Sequence, residues 1–408
     1  MTLYNKCSEF VARCSRVKTW QRRATLFLLV WACMALQAND ATYYTSGNQL
    51  LPLVETDIRV QREVLTLTWG EDLVAEVDVQ YEFFNPGARK TVLMGFEADY
   101  PRDGIMREND GGHPNITGFT VVMNDKALPV RTALVVGETQ LDAQGNIRAF
   151  DLSRYGNDKS QQVDSLWVHR WAKGEPVAYV YHFEATFEPG VNVVHHRYRY
   201  LMKQAVYCHY GLDYKLSPAL RWANRQIDDF TLRIRTRDVP LHFMMEDSLF
   251  RTPVEPVIEG TGKWRRRAIR GAGLYGDDPI SVTEVFLRDA TVEFRATNYR
   301  PGDELRLFAA DCTEPGDIYE ISDYYAYRYP LIRPTSLSND LYRRVRNLPF
   351  AHRGYVFKDR GLNDFFRNRW WYIPDESYQA TVESLTPGEQ EWLRNFDREA
   401  EDKLKGKK

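Results

Sequence analysis

The sequence predicts a mainly β protein, an antiparallel β-sandwich region followed by a small α-helical C-terminal module. Three observations lead there. From Asp57 to about Ala310, polar and apolar residues alternate with period two, the pattern of half-buried strands. Turn residues such as Pro189-Gly190 and Pro301-Gly302-Asp303 separate the alternating runs. Beyond about residue 336 the apolar period becomes helical. No βαβ repeat, Gly-rich phosphate loop or long internal repeat appears, so many short strands with polar turns favour a sandwich.

At the N-terminus, Arg13, Arg16, Lys18, Arg22 and Arg23 precede the apolar run "ATLFLLVWACMALQA". That run has the length of a secretory signal core and falls short of the roughly 20 residues needed to span a bilayer. Residues 1–38 therefore read as a signal peptide cut after Ala38, with an uncleaved anchor or lipidation at Cys33 as alternatives. The expected compartment is periplasmic or secreted, with no membrane span after cleavage.

The chain carries 54 Lys+Arg and 56 Asp+Glu; beyond residue 38 these become 48 and 55, an acidic excess that disfavours a nucleic-acid partner. Only Cys208 and Cys312 follow the signal, either bridged in an oxidising compartment or two buried thiols. Without a C-x-x-C pair, a thiol zinc site is excluded.

Strand patterns follow in order: "LVAEVDVQYEFFN", with Val77, Val79, Tyr81 and Phe83 on one face, then "GFTVVMN", "VAYVYHFEATF", "VNVVHHRYRYL", "DFTLRIRT", "TVEFRATNY" and "ELRLFAA". They define a β-sandwich region over residues 39–313, as one domain or two sub-domains. Residues 314–335, rich in Tyr and Pro, read as a linker. In the module, 336–398, Leu341, Val345 and Leu348 share one helix face and Gly354 sits where a helix C′ glycine would. Thr386, Pro387 and Glu389 open a second helix with a capping box, and Trp392, Leu393 and Phe396 form its apolar face. The tail, 399–408, has nothing to bury and is expected to fray.

The stretch "RNLPFAHRGYVFKDRGLNDFFRNRWWYIP", Arg346 to Pro374, resembles the YARHG domain of exported bacterial proteins, over about Ser336 to Arg398. It departs from that pattern at Phe350, at the order His352-Arg353 and at Pro349. "NDATYYTSGNQLLPLVETDIRVQREVLTL", "VDVQYEFFNP" and "FEATFEPGVNVVHHRYRY" resemble an exported bacterial β-rich family of unknown function, over roughly Asn39 to Ala310. Neither resemblance implies a reaction.

Arg346, His352, Arg353, Trp370, Trp371 and Tyr372 are the candidate ligand-binding residues. Arginine forks suit carboxylates and aromatic rings offer flat apolar faces to sugars, although His352 and Arg353 also suit the last turn of a helix. His195 and His196 are adjacent and so face opposite ways in a strand, while His182 could oppose His196 across a hairpin at Pro189-Gly190, too few ligands for zinc. The loop with Glu108, Asn109, Asp110 and His113 lacks the acid spacing of a calcium site and reads as a solvated turn. Without a G-x-S-x-G or H-E-x-x-H motif, the sequence implies no catalytic residues, metal or cofactor. The expected function is non-catalytic binding of an envelope glycan, such as peptidoglycan, or an envelope protein. A periplasmic hydrolase with a site assembled from distant residues, or a structural β-rich interaction protein, are the alternatives.

Overall fold

The computed structural model describes residues 46–48, 51–52, 56–70, 74–100, 112–137, 141–155, 162, 166, 168–205, 208–270, 279–309 and 338–406. Residues 1–38 and 314–335, read from the sequence as a signal and a linker, Cys312 and residues Glu108, Asn109 and Asp110 lie outside them. Seventeen strands occur among the described residues: β1 (Ser46–Asn48), β2 (Leu51–Pro52), β3 (Arg59–Trp69), β4 (Val74–Asn85), β5 (Lys90–Asp99), β6 (Ile116–Met123), β7 (Lys126–Ala127), β8 (Arg131–Val136) and β9 (Val177–Phe187) come first. Then follow β10 (Gly190–Leu201), β11 (Lys203–Ala205), β12 (Cys208–Lys215), β13 (Ile227–Thr236), β14 (Leu241–Glu246), β15 (Val257–Arg270), β16 (Pro279–Tyr299) and β17 (Leu305–Ala309).

The fold is mainly β, as predicted. Sheet one runs β1-β12-β17-β14-β16-β13-β3-β4-β10-β6-β7, with β11 beside β12 and β15 beside β16; sheet two runs β2-β5-β9-β8. Pairing is antiparallel except at β1–β12 and β3–β13, which are parallel and make sheet one mixed. β4 shows the period-two logic directly. Val77, Val79, Tyr81 and Phe83 are buried in the core, while Glu76, Asp78, Gln80 and Glu82 line the other face.

β16 is the spine. Its first half pairs with β14, its second half with β13, and β15 follows its opposite edge. The partner switch falls at Asp289, in the left-handed region at φ 51°, opposite Gly260 at φ 98°. There the register slips, and a Cβ on Gly260 would come 2.7 Å from the Asp289 carbonyl oxygen, so glycine is required.

The expected hairpin at Pro189-Gly190 is corrected: β9 belongs to sheet two and β10 to sheet one, so the turn carries the chain between sheets. Asn192 fixes this crossing. Its Oδ1 accepts from the Glu188 N–H at 2.9 Å and its Nδ2 donates to the Glu188 and Gly190 carbonyls. His182 and His196 are thereby assigned to different sheets.

Four helices form the C-terminal module: α1 (Asn339–Arg346), α2 (Leu348–His352), α3 (Arg360–Arg367) and α4 (Pro387–Gly406). Ser338 and Asp359 cap α1 and α3, accepting from the N–H groups of Leu341 and Leu362. Pro349 in the first turn of α2 explains the break at Asn347, since proline suits a helix start and not an interior. α4 runs on to Gly406, where fraying was expected; the stretch from Glu399 to Lys405 is rich in helix-forming residues. Val345, Leu348, Phe350, Phe357, Phe366, Trp371, Leu393 and Phe396 form the module core, and Phe286 of β16 joins it, tying module to sheet.

Candidate functional site

Because paired residues of adjacent strands point to the same side, register maps the outward face of sheet one. One row crosses Glu293 (β16), Arg233 (β13), Thr66 (β3), Asp78 (β4), Arg197 (β10) and Thr120 (β6). The next crosses Glu259 (β15), Thr291 (β16), Arg235 (β13), Thr68 (β3), Glu76 (β4) and Arg199 (β10). Acids, arginines and threonines thus recur strand by strand.

A groove of about 780 Å³ opens on this face, lined by side chains of β3, β4, β13, β15 and β16. Its charged residues are Asp78, Glu259 and Glu293 against Arg233, Arg235 and Arg295, which balance. Three of them pair with each other. Arg233 Nε lies 2.5 Å from Glu293 Oε2, and Arg295 also bonds Glu293. Burial opposes the charge on Glu293, but these two arginines hold its carboxyl below the usual range. Asp78 accepts from Arg197 Nε at 2.6 Å and faces His195 Nε2 at 2.8 Å. Thr66, Thr291 and Gln80 add neutral hydrogen-bonding groups.

The six residues singled out from the sequence are placed in and under the helical module. Arg353 makes a two-pronged ion pair with Glu389, at 2.9 and 2.7 Å, and also donates to the Pro349 carbonyl. Glu389 is 1% exposed and closes the predicted capping box, accepting from the Thr386 N–H at 2.9 Å. Arg346 pairs with Asp397 through two 2.9 Å bonds. His352 is 1% exposed and packs 4.3 Å from the Trp371 ring, which is itself buried. Tyr372, also buried, donates to the Tyr355 carbonyl at 2.8 Å. Gly354 takes the left-handed conformation expected of a C′ residue, φ 88°.

Trp370 faces the sheet. Its ring lies 4.6 Å from the Arg265 guanidinium and 5.8 Å from the His242 ring. Arg265, Arg267 and His242 converge on the buried Glu284, at 2.7, 2.8 and 2.9 Å. Burial alone would raise the Glu284 carboxyl, yet the bonds from His242 and Arg265 and the charge of Arg267 pull it down to about 2. Lys263 and Arg288 complete the joint by donating to the Tyr372 and Ile373 carbonyls at 3.1 and 2.9 Å.

Several features escaped the sequence reading. His196 is buried among Tyr81, Phe96, Phe119 and Tyr198, and burial together with neighbouring His195 pushes it down to about 3, so it stays neutral. His113 is buried, not in a solvated turn: its ring bonds the Asp99 carbonyl and accepts from the Asn115 N–H. Glu175, His169 and Tyr155 form a relay, with the imidazole 2.5 Å from the carboxylate and 3.2 Å from the phenol. Among the described residues no group of three or more His, Cys, Asp or Glu could hold a metal ion.

The helical module has a recognised relative. Residues 333–399 match the YARHG domain. The match spans α1 to α3 and most of α4, and includes the Arg353–Glu389 pair and the face that docks on β16. No curated protein matches the chain. Among solved structures, a Legionella pneumophila protein described as a candidate nutrient-binding protein shares 18% identity over 88% of this chain and 99% of its own, with a TM-score of 0.47. An M1 zinc metallopeptidase of Deinococcus radiodurans shares 10% over 63% of this chain and 43% of its own, TM-score 0.23. A candidate protease of Parabacteroides distasonis shares 10% over 85% and 60%, TM-score 0.23. At these identities and scores the likenesses do not extend to function. Among the described residues no helix is long and apolar enough to cross a membrane.

Proposed function

We propose that the protein is an exported, non-catalytic binding protein of the cell envelope, and that the groove on the outward face of sheet one holds its ligand. The charge-balanced lining of that groove carries the reading. Three carboxylates offset three guanidiniums beside hydroxyl and amide groups. Such a wall offers both donors and acceptors without favouring a polyanion, and so suits a polar ligand of low net charge, such as a glycan or peptide fragment of peptidoglycan. The YARHG match supports export, with residues 1–38 as the signal. In this reading Arg346, His352, Arg353, Trp370, Trp371 and Tyr372 build the YARHG module and seat it on the sheet.

The test is calorimetric titration of the chain with soluble peptidoglycan fragments. Saturable binding is expected, weakened about tenfold or more by Thr291→Trp, which fills the groove, and unchanged by Arg346→Ala. Equal binding by Thr291→Trp, or no binding by the parent chain, would overturn the reading. One observation favours a second reading, a hydrolase: the Glu175–His169–Tyr155 relay orders an imidazole beside a hydroxyl. Turnover of an activated ester that Tyr155→Phe abolishes would establish it.

A further inference from the structure

Among the described residues, most charged groups of the groove are already engaged by neighbouring strands, but two are not. Glu293 is shared by Arg233 and Arg295, and Asp78 is taken by Arg197 and His195. Arg235 uses only its Nε, which donates to Thr68 Oγ1 at 2.7 Å. Among the described residues its two terminal nitrogens make no hydrogen bond, and Arg235 lines the groove. Glu259 lines the same groove, is exposed, and makes no ion pair among the described residues. The two groups stand in one register row, with Thr291 between them.

Two strand spacings separate their backbones, roughly 10 Å. An extended peptide covers about 3.3–3.6 Å per residue, so three or four residues bring a terminal carboxylate and a terminal ammonium to that separation. A planar guanidinium with open terminal nitrogens is the group best shaped to take a carboxylate in two parallel bonds. A free glutamate carboxylate is the matching partner for an ammonium. Thr291, midway, can bond the peptide backbone between the two ends.

We infer that the ligand of this groove is a short peptide with both ends free, its carboxylate on Arg235 and its ammonium on Glu259. The inference rests on the groove being the binding site, as proposed above, and adds the chemical class and orientation of what it binds.

The probe is a series of alanine peptides, dipeptide to hexapeptide, titrated against the full chain. Each length is used free, N-acetylated and C-amidated. The free tripeptide or tetrapeptide should bind best, and blocking either end should weaken it about 10- to 100-fold, the loss expected for one charge-assisted contact. Arg235→Ala should weaken the free peptide by the same factor and make it indifferent to amidation. Glu259→Gln should do likewise for acetylation. Both residues are exposed, so melting curves of the two variants should match the parent.

Peptides that bind equally well with blocked ends, losses in Arg235→Ala that do not depend on amidation, or no binding at any length would each overturn the inference. If peptidoglycan fragments still bind and Thr291→Trp still blocks them while the alanine series fails, the groove survives as the site and only the peptide assignment falls.

Discussion

Arg353 shows how far in sequence a side chain's partner can lie. An arginine at a helix end among aromatics has the composition of an anion site, and nothing local reveals that Glu389, thirty-six positions away, takes both prongs of its guanidinium. Removing one member of a buried pair leaves the other charge without compensation, which costs about 3–5 kcal/mol. Arg353→Ala should therefore lower the melting point sharply, and replacing Arg353 and Glu389 together by methionine should recover much of the loss. A melting point that Arg353→Ala leaves unchanged would show that the pair contributes nothing. Asp213 makes the opposite case. It stands in a row with Arg306 and Glu246, and burial, opposed by Arg306 and reinforced by Glu246, pushes its carboxyl up to about 7. A raised pKa favours the folded state fully below the unfolded value of 3.8, and that contribution is lost as pH rises through 7. Asp213→Asn removes this dependence. The variant should gain stability over the parent by up to about 1.4 kcal/mol per pH unit between pH 4 and 7, read from melting curves across that range. A pH-independent difference would contradict the placement.

At the scale of elements, alternation was legible wherever one face is buried, since a single slip would turn every apolar residue of β4 outward. The capping box at Thr386 and the glycine after α2 were equally legible, because both are local chemistry. Pairing was not. The turn at Pro189-Gly190 has hairpin residues, yet β9 and β10 bury their inner faces in different sheets, a choice made by strands far away in sequence. The joint between β14, β15, β16 and the YARHG module was hidden for the same reason. Glu284, His242 and Arg265 come from three separate strands and Trp370 from the turn after α3. With a folded-state value near 2 against 4.5 unfolded, Glu284 adds about 3 kcal/mol that is present above pH 4.5 and lost as pH falls toward 2. Melting curves of the parent should show this acid-sensitive loss. Glu284→Gln should begin destabilised at pH 7 and lack that part of the acid slope; an identical slope would mean the carboxylate is not held by its three partners.

For the whole molecule, the mainly β character and the helical C-terminal module were readable from period alone, whereas the candidate groove was not. Its lining comes from five strands spread between Thr66 and Arg295, and only register brings them together. Each residue alone is an ordinary outward-facing strand residue. Among the described residues the groove on the outward face of sheet one is uncovered, while the YARHG module packs on the joint built on Phe286 and Glu284. Hydrogen exchange of the full chain, with and without soluble peptidoglycan fragments, compares the two directly. Slowed exchange is expected only along β13, β15 and β16 around Arg235, Thr291 and Glu259, with α1 to α4 unchanged. Protection in the YARHG module and none along those strands would contradict it.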